Sequence, residues 1–218
     1  MRGAAVRRQS SVLSSQPGQV PDISVPVVSA RRSVVAVEAP VVVQARGVAV
    51  EQLAGVPHRL AHVTGVAAST ARVVALAGSD HADELIAAAW VHDIGYAQPV
   101  VRSGFHPLDG AVFLRGAGFP DLVVSLVAYH SGAVVEAEER GLADELRVFP
   151  EPPADLLDVL TFADMTTSRD GDPVDVGRRL AEIQARYGPE DVVYRAISRS
   201  TSDLLAAVQR VSDRIAGA

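Results

Sequence analysis

A histidine and an aspartate, His92 and Asp93, stand side by side at the end of an apolar segment of the sequence. Every residue from Leu85 to Val91 is apolar, and Gly95 follows shortly after the pair. On a helix both side chains would point into apolar surroundings, where an ionised carboxylate is costly unless it is paired or bound to a metal. Adjacent side chains diverge by about 100° around a helix, so both reach one ion best at a helix end, where Gly95 suits the left-handed position. The pair is therefore a candidate metal site.

Four of the six histidines and two aspartates lie on apolar helix faces or at predicted helix ends. They are His62, His92, Asp93, His106, His130 and Asp164. A single histidine of this kind is most often a hydrogen-bonded residue, and a single aspartate can cap a helix or pair with an arginine. Four imidazoles and two carboxylates exceed what one tetrahedral ion takes, and they match two first-row metals or one hard ion with an expanded shell. We predict two ions bridged by Asp93, because a carboxylate has two oxygens.

The order of these residues resembles the HD domain superfamily, an all-helical family of metal-dependent phosphohydrolases. The resemblance covers about residues 56–170. The segments that carry it are Arg59-Leu60-Ala61-His62, Ala89-Trp90-Val91-His92-Asp93-Ile94-Gly95-Tyr96, His106-Pro107-Leu108-Asp109-Gly110-Ala111, Val127-Ala128-Tyr129-His130 and Phe162-Ala163-Asp164. Two features depart from members that cleave cyclic dinucleotides: no Gly-Tyr-Pro signature follows the His-Asp pair, and Ser131 stands where many of them have a second consecutive histidine. We therefore do not expect cyclic-di-GMP as the substrate.

The resemblance implies hydrolysis of a nucleotide or another small phosphoester by a metal-bound hydroxide. In this hypothesis His62, His92, Asp93 and Asp164 hold one divalent ion, and Asp93, His106 and His130 hold the other. The sequence leaves the metal open among Fe, Mn, Co, Zn and Mg. Two alternatives keep the same fold: a di-iron oxygenase, which needs the same ligand set, and a nucleotide-binding regulatory module without turnover.

Three further residues are candidates for contacts with the substrate. His58 lies one helical turn before His62 and is a candidate proton donor, although a helix-start residue explains its position equally well. Arg102 lies between the His-Asp pair and His106, and Arg169 follows Asp164. Both arginines are predicted to bind a substrate phosphate as bidentate donors, with a solvated surface arginine as the alternative.

Composition limits the other classes of function. The chain has no cysteine, so a metal site must use nitrogen and oxygen ligands, and all 20 of its basic residues are arginine, which excludes catalysis by lysine. Residues 47–218 carry 14 basic and 24 acidic residues. This acidic balance argues against a nucleic-acid groove. No apolar run is expected to span a bilayer. We predict a cytoplasmic protein with a small phosphorylated substrate and no nucleic-acid or membrane partner, and the sequence leaves its oligomeric state open.

The elements that must position these residues are predicted to be helices. Residues 1–46 are predicted to be a disordered extension, and a start codon assigned too far upstream would explain them equally well. Residues 47–218 are predicted to form one all-α, HD-type helical domain, with C-terminal helices at 172–216. Asp80 is expected to cap the helix that ends in the His-Asp pair, and His106 is expected just outside the helix that Pro107 opens.

Overall fold

The computed structural model describes residues 38–218, and in this part of the chain it contains ten α-helices and no strand. The helices are α1 Pro40–Gln52, α2 Pro57–Ala77, α3 Ala82–Val91, α4 His106–Gly116, α5 Asp121–Tyr129, α6 Ala133–Arg140, α7 Ala143–Leu146, α8 Ala154–Met165, α9 Val176–Arg186 and α10 Val192–Ala216. Two 3₁₀ turns, Ile94–Tyr96 and His130–Gly132, follow α3 and α5. The prediction of an all-α fold is confirmed.

Helix α3 lies at the centre of the main core. It contacts α1, α2, α5 and α8, and its residues Leu85, Ala87, Ala88, Ala89 and Val91 are fully buried. The run of alanines lets neighbouring helices approach closely, which explains why a ten-residue helix can be covered on several sides. The central helix therefore fixes the position of the two residues that follow it, His92 and Asp93.

The two C-terminal helices build a second, smaller apolar cluster beside the core. Its buried members are Met165, Leu180, Leu204 and Val208. Helix α10 also contacts α8 and α6. On α8, Asp158 accepts two hydrogen bonds of 2.7 Å from Arg210, a bidentate pair that holds the two helices in register. These contacts place α9 and α10 beside the end of α8, where Asp164 lies.

The structure corrects the predicted boundary at residue 46. Residues 40–46 belong to α1, in which Val42 and Ala45 are buried against the core, so the predicted extension is wrong for these residues. Pro40 occupies the first turn of this helix, where its missing N–H costs nothing. The remainder of the predicted extension, residues 1–37, lies outside the described residues.

Three local predictions are also corrected. Asp80 does not cap α3, because the helix begins one residue later with His81 at the cap position. His106 is the first residue of α4, and the extended residue before the helix is Phe105. The helix predicted from residue 172 begins at Val176, where the side chain of Asp175 accepts a hydrogen bond from the backbone of Arg178.

Helix α2 is longer and more apolar than the sequence analysis predicted. Its 21 residues are long and apolar enough to cross a bilayer, judged by length and composition alone, whereas the sequence was expected to contain no such run. A core helix can have the same length and composition. In this fold α2 packs on α3 and α8 and buries His62 together with Val63 and Val66.

Candidate metal centre

Five helices deliver the six predicted ligands to one place. His62 comes from the second turn of α2, His92 and Asp93 follow the end of α3, His106 begins α4, His130 follows α5, and Asp164 lies in the last turn of α8. Five of the six are buried, and His106 is partly exposed. Four of the five helices contribute at an end, where the chain changes direction and a side chain can turn away from the helix face.

The ligand atoms form two overlapping groups. In one, atoms of His62, His92 and Asp164 lie within 4.8 Å of one another, and in the other the same holds for His92, Asp93 and His130. His106 joins the second group, because its Nε2 lies 3.2 Å from His130 Nε2 and 3.4 Å from Asp93 Oδ1. The structure thus brings all six residues together, with His92 between the two groups.

Backbone carbonyl groups fix the orientation of three of the imidazoles. His62 Nδ1 lies 2.9 Å from the carbonyl oxygen of Ser168. His92 Nδ1 lies 2.8 Å from the carbonyl oxygen of Ala89, and His130 Nδ1 lies 2.6 Å from that of Val127. A carbonyl oxygen can only accept, so each Nδ1 carries the hydrogen. In the neutral form every Nε2 therefore presents its lone pair to the site, which is the arrangement that metal-binding histidines adopt.

Electrostatic effects keep the two carboxylates ionised. Burial would raise the pKa of Asp93, but the Arg59 guanidinium and the neighbouring imidazoles hold it well below its usual value. Burial also opposes ionisation of Asp164, and the hydrogen bond from His62 with the nearby positive charges lowers its pKa. Both groups are therefore available as anionic ligands at neutral pH.

The imidazoles differ in their affinity for a proton. Burial lowers the pKa of His92 to about 4 and that of His106 well below its usual value. Burial would lower the pKa of His62 too, but its hydrogen bond and charge interaction with Asp164 outweigh burial and raise it. His62 Nε2 is 3.0 Å from Asp164 Oδ1, so a proton or another cation must lie between these two acceptors.

A cation fits the centre better than a proton network alone. The buried Nε2 of His92 has no hydrogen-bond partner among the described residues, and leaving such a group unpaired costs about 1–3 kcal/mol. It lies 3.8 Å from Asp93 Oδ1 and 4.0 Å from Asp164 Oδ1. A divalent ion would satisfy this nitrogen and both anions at once, and the nitrogen and oxygen donors suit first-row metals.

Arg59 holds Asp93 from one side and was missed as a site residue. Its Nη1 donates to Asp93 Oδ2 at 2.7 Å, and its guanidinium lies 3.8 Å from the centre of the Tyr96 ring. Tyr96 in turn stacks on His106, with 4.2 Å between ring centres. The spacing of three residues between Arg59 and His62, which places both on one helix face, is the sequence signal that could have identified it.

Two further contacts at Asp164 were also missed. The hydroxyl of Ser131 donates a hydrogen bond to Asp164 Oδ2, and the backbone of Ser131 is left-handed, with φ of 47°. Arg179 of α9 lies with Nη2 3.9 Å from Asp164 Oδ1. Nothing local in the sequence marks Arg179, because its proximity arises only from the packing of α9.

The structure does not bring the predicted substrate residues to the centre. His58 is exposed and forms a 2.9 Å contact with Asp170, away from the cavity. Arg102 is exposed, and its side chain donates a hydrogen bond to the carbonyl oxygen of Val101. The loop that carries Arg102 is held by Asp109, whose carboxylate accepts hydrogen bonds from the backbone N–H groups of residues 102–104. Arg169 is exposed and does not line the cavity either. The structure therefore places none of the three in the cavity wall, and their contact with a substrate stays a prediction.

A cavity opens onto the centre. Asp93, His106, His130 and Asp164 lie in its wall. The arginines in the wall are Arg59, Arg179 and Arg186, and the aromatic residues are Tyr96 and Tyr187. The cavity thus gives a small anionic molecule access to the ligand cluster, with positive charge supplied by residues other than those predicted from the sequence.

Comparison with known proteins gives one match. A family model described as HD domain matches residues 59–167, which is half of the chain. The matched range begins at Arg59 and ends after Asp164, so it contains all six members of the cluster. No curated protein and no solved structure matches the chain significantly.

Proposed function

The chain belongs to the HD domain family, and from this premise we propose that it is a metal-dependent phosphohydrolase acting on a nucleotide or another small phosphoester. The family consists generally of metal-dependent hydrolases. The observation that carries the proposal is the convergence of four imidazoles and two ionised carboxylates at the base of one cavity. Phosphoryl transfer requires charge neutralisation and positioning more than any covalent partner, and this donor set can provide both.

We propose two divalent ions for the centre. The ligand atoms support this number, since His62, His92 and Asp164 offer three donors to one ion, and Asp93, His130 and His106 offer three to the other. When bound, divalent ions supply Lewis-acid charge for a phosphoryl group and lower the pKa of water. Fe, Mn, Co, Zn and Mg all remain candidates, and donor chemistry favours the first-row metals.

The residues of the chain have separate roles in this proposal. Arg59 and Ser131 orient Asp93 and Asp164 by hydrogen bonds to one oxygen of each carboxylate, which leaves the other oxygen facing the imidazoles. The carbonyl groups bound to the three Nδ1 atoms keep the imidazole rings from rotating. We expect activity to depend most on His92, which lies in both groups of ligand atoms, and on Asp93, whose carboxylate faces three imidazoles.

We further propose a small-molecule substrate, a cytoplasmic location, and no nucleic-acid or membrane partner. The acidic excess of residues 47–218 supports the absence of a nucleic-acid partner. The three arginines in the cavity wall support a small phosphorylated molecule as the substrate.

The decisive experiment combines metal analysis with a substrate panel. The metal content of protein purified from its native cells would be measured, and phosphate release from nucleoside monophosphates, dinucleoside polyphosphates and small organic phosphates would be assayed under argon with Mn²⁺ or Co²⁺. We expect phosphate release without oxygen, and none from Asp93→Asn. Oxygen-dependent cleavage of a carbon bond would identify a di-iron oxygenase instead, and nucleotide binding without product over hours would identify a regulatory module.

A further inference from the structure

Helix α9 places a buried arginine beside the metal centre. Arg179 is only 4% exposed, yet it lines the cavity and lies 3.9 Å from the Asp164 carboxylate. Helix α9 begins at Val176, beyond the end of the segment that matches the family model. Arg179 therefore lies outside the segment that matches the family model, and a buried guanidinium is costly without an anionic partner.

The hydrogen bonds of Arg179 are incomplete. Its Nη1 donates to Glu182 Oε2 at 2.8 Å. Its buried Nε has no partner among the described residues, and Nη2 is too far from Asp164 for a hydrogen bond. Glu182 thus holds one edge of the guanidinium, while the edge formed by Nε and Nη2 lacks an acceptor. This edge has the fork geometry that binds two oxygens of a phosphate or carboxylate.

The charges on this wall do not balance. Glu182 also accepts a hydrogen bond from Arg186 through its other oxygen, so one carboxylate serves two arginines that both line the cavity. Asp164 already interacts with His62 and Ser131. Counted over Arg179, Arg186 and Glu182, this wall consequently carries one positive charge in excess next to the ligand cluster. An oxyanion entering the cavity would neutralise it.

Apolar side chains lie beside this charged patch. Ile183 of α9, Val193 and Ile197 of α10, and the ring of Tyr187 line the same cavity. Ile183 and Ile197 also pack against the second apolar cluster, which fixes their positions. A ligand whose oxyanion bound Arg179 would place the rest of its structure against these side chains rather than in water.

We infer that Arg179, held in place by Glu182, binds an oxyanion of the substrate beside the metal ligands, and that the apolar residues of α9 and α10 receive an apolar or planar organic group attached to it. The substrate class is thus a compact phosphomonoester with an apolar or planar portion. This inference rests on the proposed function only in calling the bound molecule a substrate. The anion-binding role of Arg179 rests on the contacts of Arg179 alone.

The first test measures binding of inorganic phosphate to Arg179→Gln by calorimetry, in metal-loaded protein, with metal content determined in parallel. The loss of a charge-assisted contact should weaken phosphate binding about tenfold to a hundredfold while metal content stays at the wild-type level. Arg178→Gln is the matched control, since Arg178 is the exposed neighbour on the same helix, and it should bind phosphate as the wild type does. Arg179→Lys, which keeps the charge without the fork, should lose less affinity than Arg179→Gln.

The outcomes separate this inference from the proposed function. Wild-type phosphate affinity in Arg179→Gln, or loss of metal from that variant, would overturn the inference even if the wild-type protein hydrolyses phosphoesters. Arg179-dependent phosphate binding in a protein that hydrolyses none of them would support the inference and reject the proposed function. If Arg179→Gln does not fold, Glu182→Gln replaces it, and unchanged phosphate affinity in that variant counts against the positioning role.

The second test concerns the apolar wall. Phenyl phosphate should bind more tightly than inorganic phosphate to the wild-type protein, because the ring is removed from water against Ile183 and Ile197. Ile197→Ala should reduce this preference about threefold to tenfold, through the apolar contact area that the substitution removes, while leaving the affinity for inorganic phosphate unchanged. Equal affinity for the two ligands in the wild-type protein would overturn the proposed substrate class.

Discussion

Gly95 lies so close to the backbone of His106 that a β-carbon at Gly95 would stand 2.0 Å from the His106 carbonyl oxygen. This contact joins the 3₁₀ turn after Asp93 to the first residue of α4. The distance between Asp93 and His106 in the candidate centre therefore depends on a glycine that contributes no side chain. The sequence predicted a left-handed residue at this position, but Gly95 does not have a positive φ, and the close approach of the backbone is what requires glycine.

The first prediction concerns this contact. Gly95→Ala should destabilise the fold by about 2–3 kcal/mol, because backbone atoms of α4 must move to admit the methyl group, and the displaced His106 should weaken metal binding. Chemical denaturation and metal titration measure the two effects. Gly47→Ala is the control, since Gly47 lies within α1 with nothing within 4 Å of its β-position. A fully stable Gly95→Ala protein would contradict the proposed constraint.

The second prediction concerns Asp93. Asp93→Asn keeps the shape of the side chain but removes the charge that faces Arg59 and three imidazoles. We expect loss of bound metal and a drop in activity of about a hundredfold, the upper end of the cost of losing a contact that supports a metal ligand. Metal analysis and a phosphate-release assay test both effects. Asp203→Asn, an exposed change on α10, should alter neither, and normal metal content in Asp93→Asn would refute the assignment.

The third prediction concerns pH. In the metal-free protein, the raised pKa of His62 and the value of about 4 for His92 place the two imidazoles on opposite sides of pH 6.5. His62 stabilises the fold fully below pH 6.5, and this contribution is lost as pH rises through its folded pKa. His92 acts in the opposite sense, since its contribution is lost as pH falls from 6.5 towards about 4.

Nuclear magnetic resonance of the imidazole groups, with His62→Gln used for assignment, measures the order of these titrations. Added Mn²⁺ or Zn²⁺ should suppress both, because metal binding requires the unprotonated nitrogen. Titration of the two imidazoles together near pH 6.5 would contradict the electrostatic description of the centre.

The fourth prediction concerns the N-terminal boundary. Removal of residues 1–37 should leave metal content and activity unchanged, because every residue of the candidate centre lies after this range. Removal of residues 1–46 should destabilise the protein by about 2–4 kcal/mol, because it deletes the buried Val42 and Ala45 and leaves α3 uncovered on one side. Thermal unfolding of the two truncated proteins distinguishes these effects, and equal stability would show that residues 38–46 do not stabilise the core.

The sequence was informative where chemistry and periodicity coincide. Polar residues such as His62 and Asp164 stand out because they occupy positions on helices where an apolar residue belongs, and some helix bounds, such as the start of α2 at Pro57 and its end before Gly78, follow from proline and glycine. These local signals were sufficient to predict the all-α fold and to select six residues that the structure brings together.

The sequence could not identify partners that meet only through packing. Arg102 and Arg169 are close to ligands along the chain but point to solvent, whereas Arg179 is distant along the chain and lies beside Asp164. Ser131 was recognised as a departure from the family pattern, but its hydrogen bond to Asp164 depends on the left-handed turn after α5. Proximity in the chain is a poor guide to substrate contacts, because loops carry adjacent residues in different directions.

The wide separation of the ligands along the chain has a consequence during synthesis. His62 and Asp164 are 102 positions apart and meet only when α2 and α8 are both in place. A nascent chain that has not yet released α8 from the ribosome cannot assemble the first group of ligands. Binding of a metal by His62, His92 and Asp164 must therefore follow translation of α8. The bound ion then stabilises the complete fold, since whatever binds only the native state opposes its unfolding.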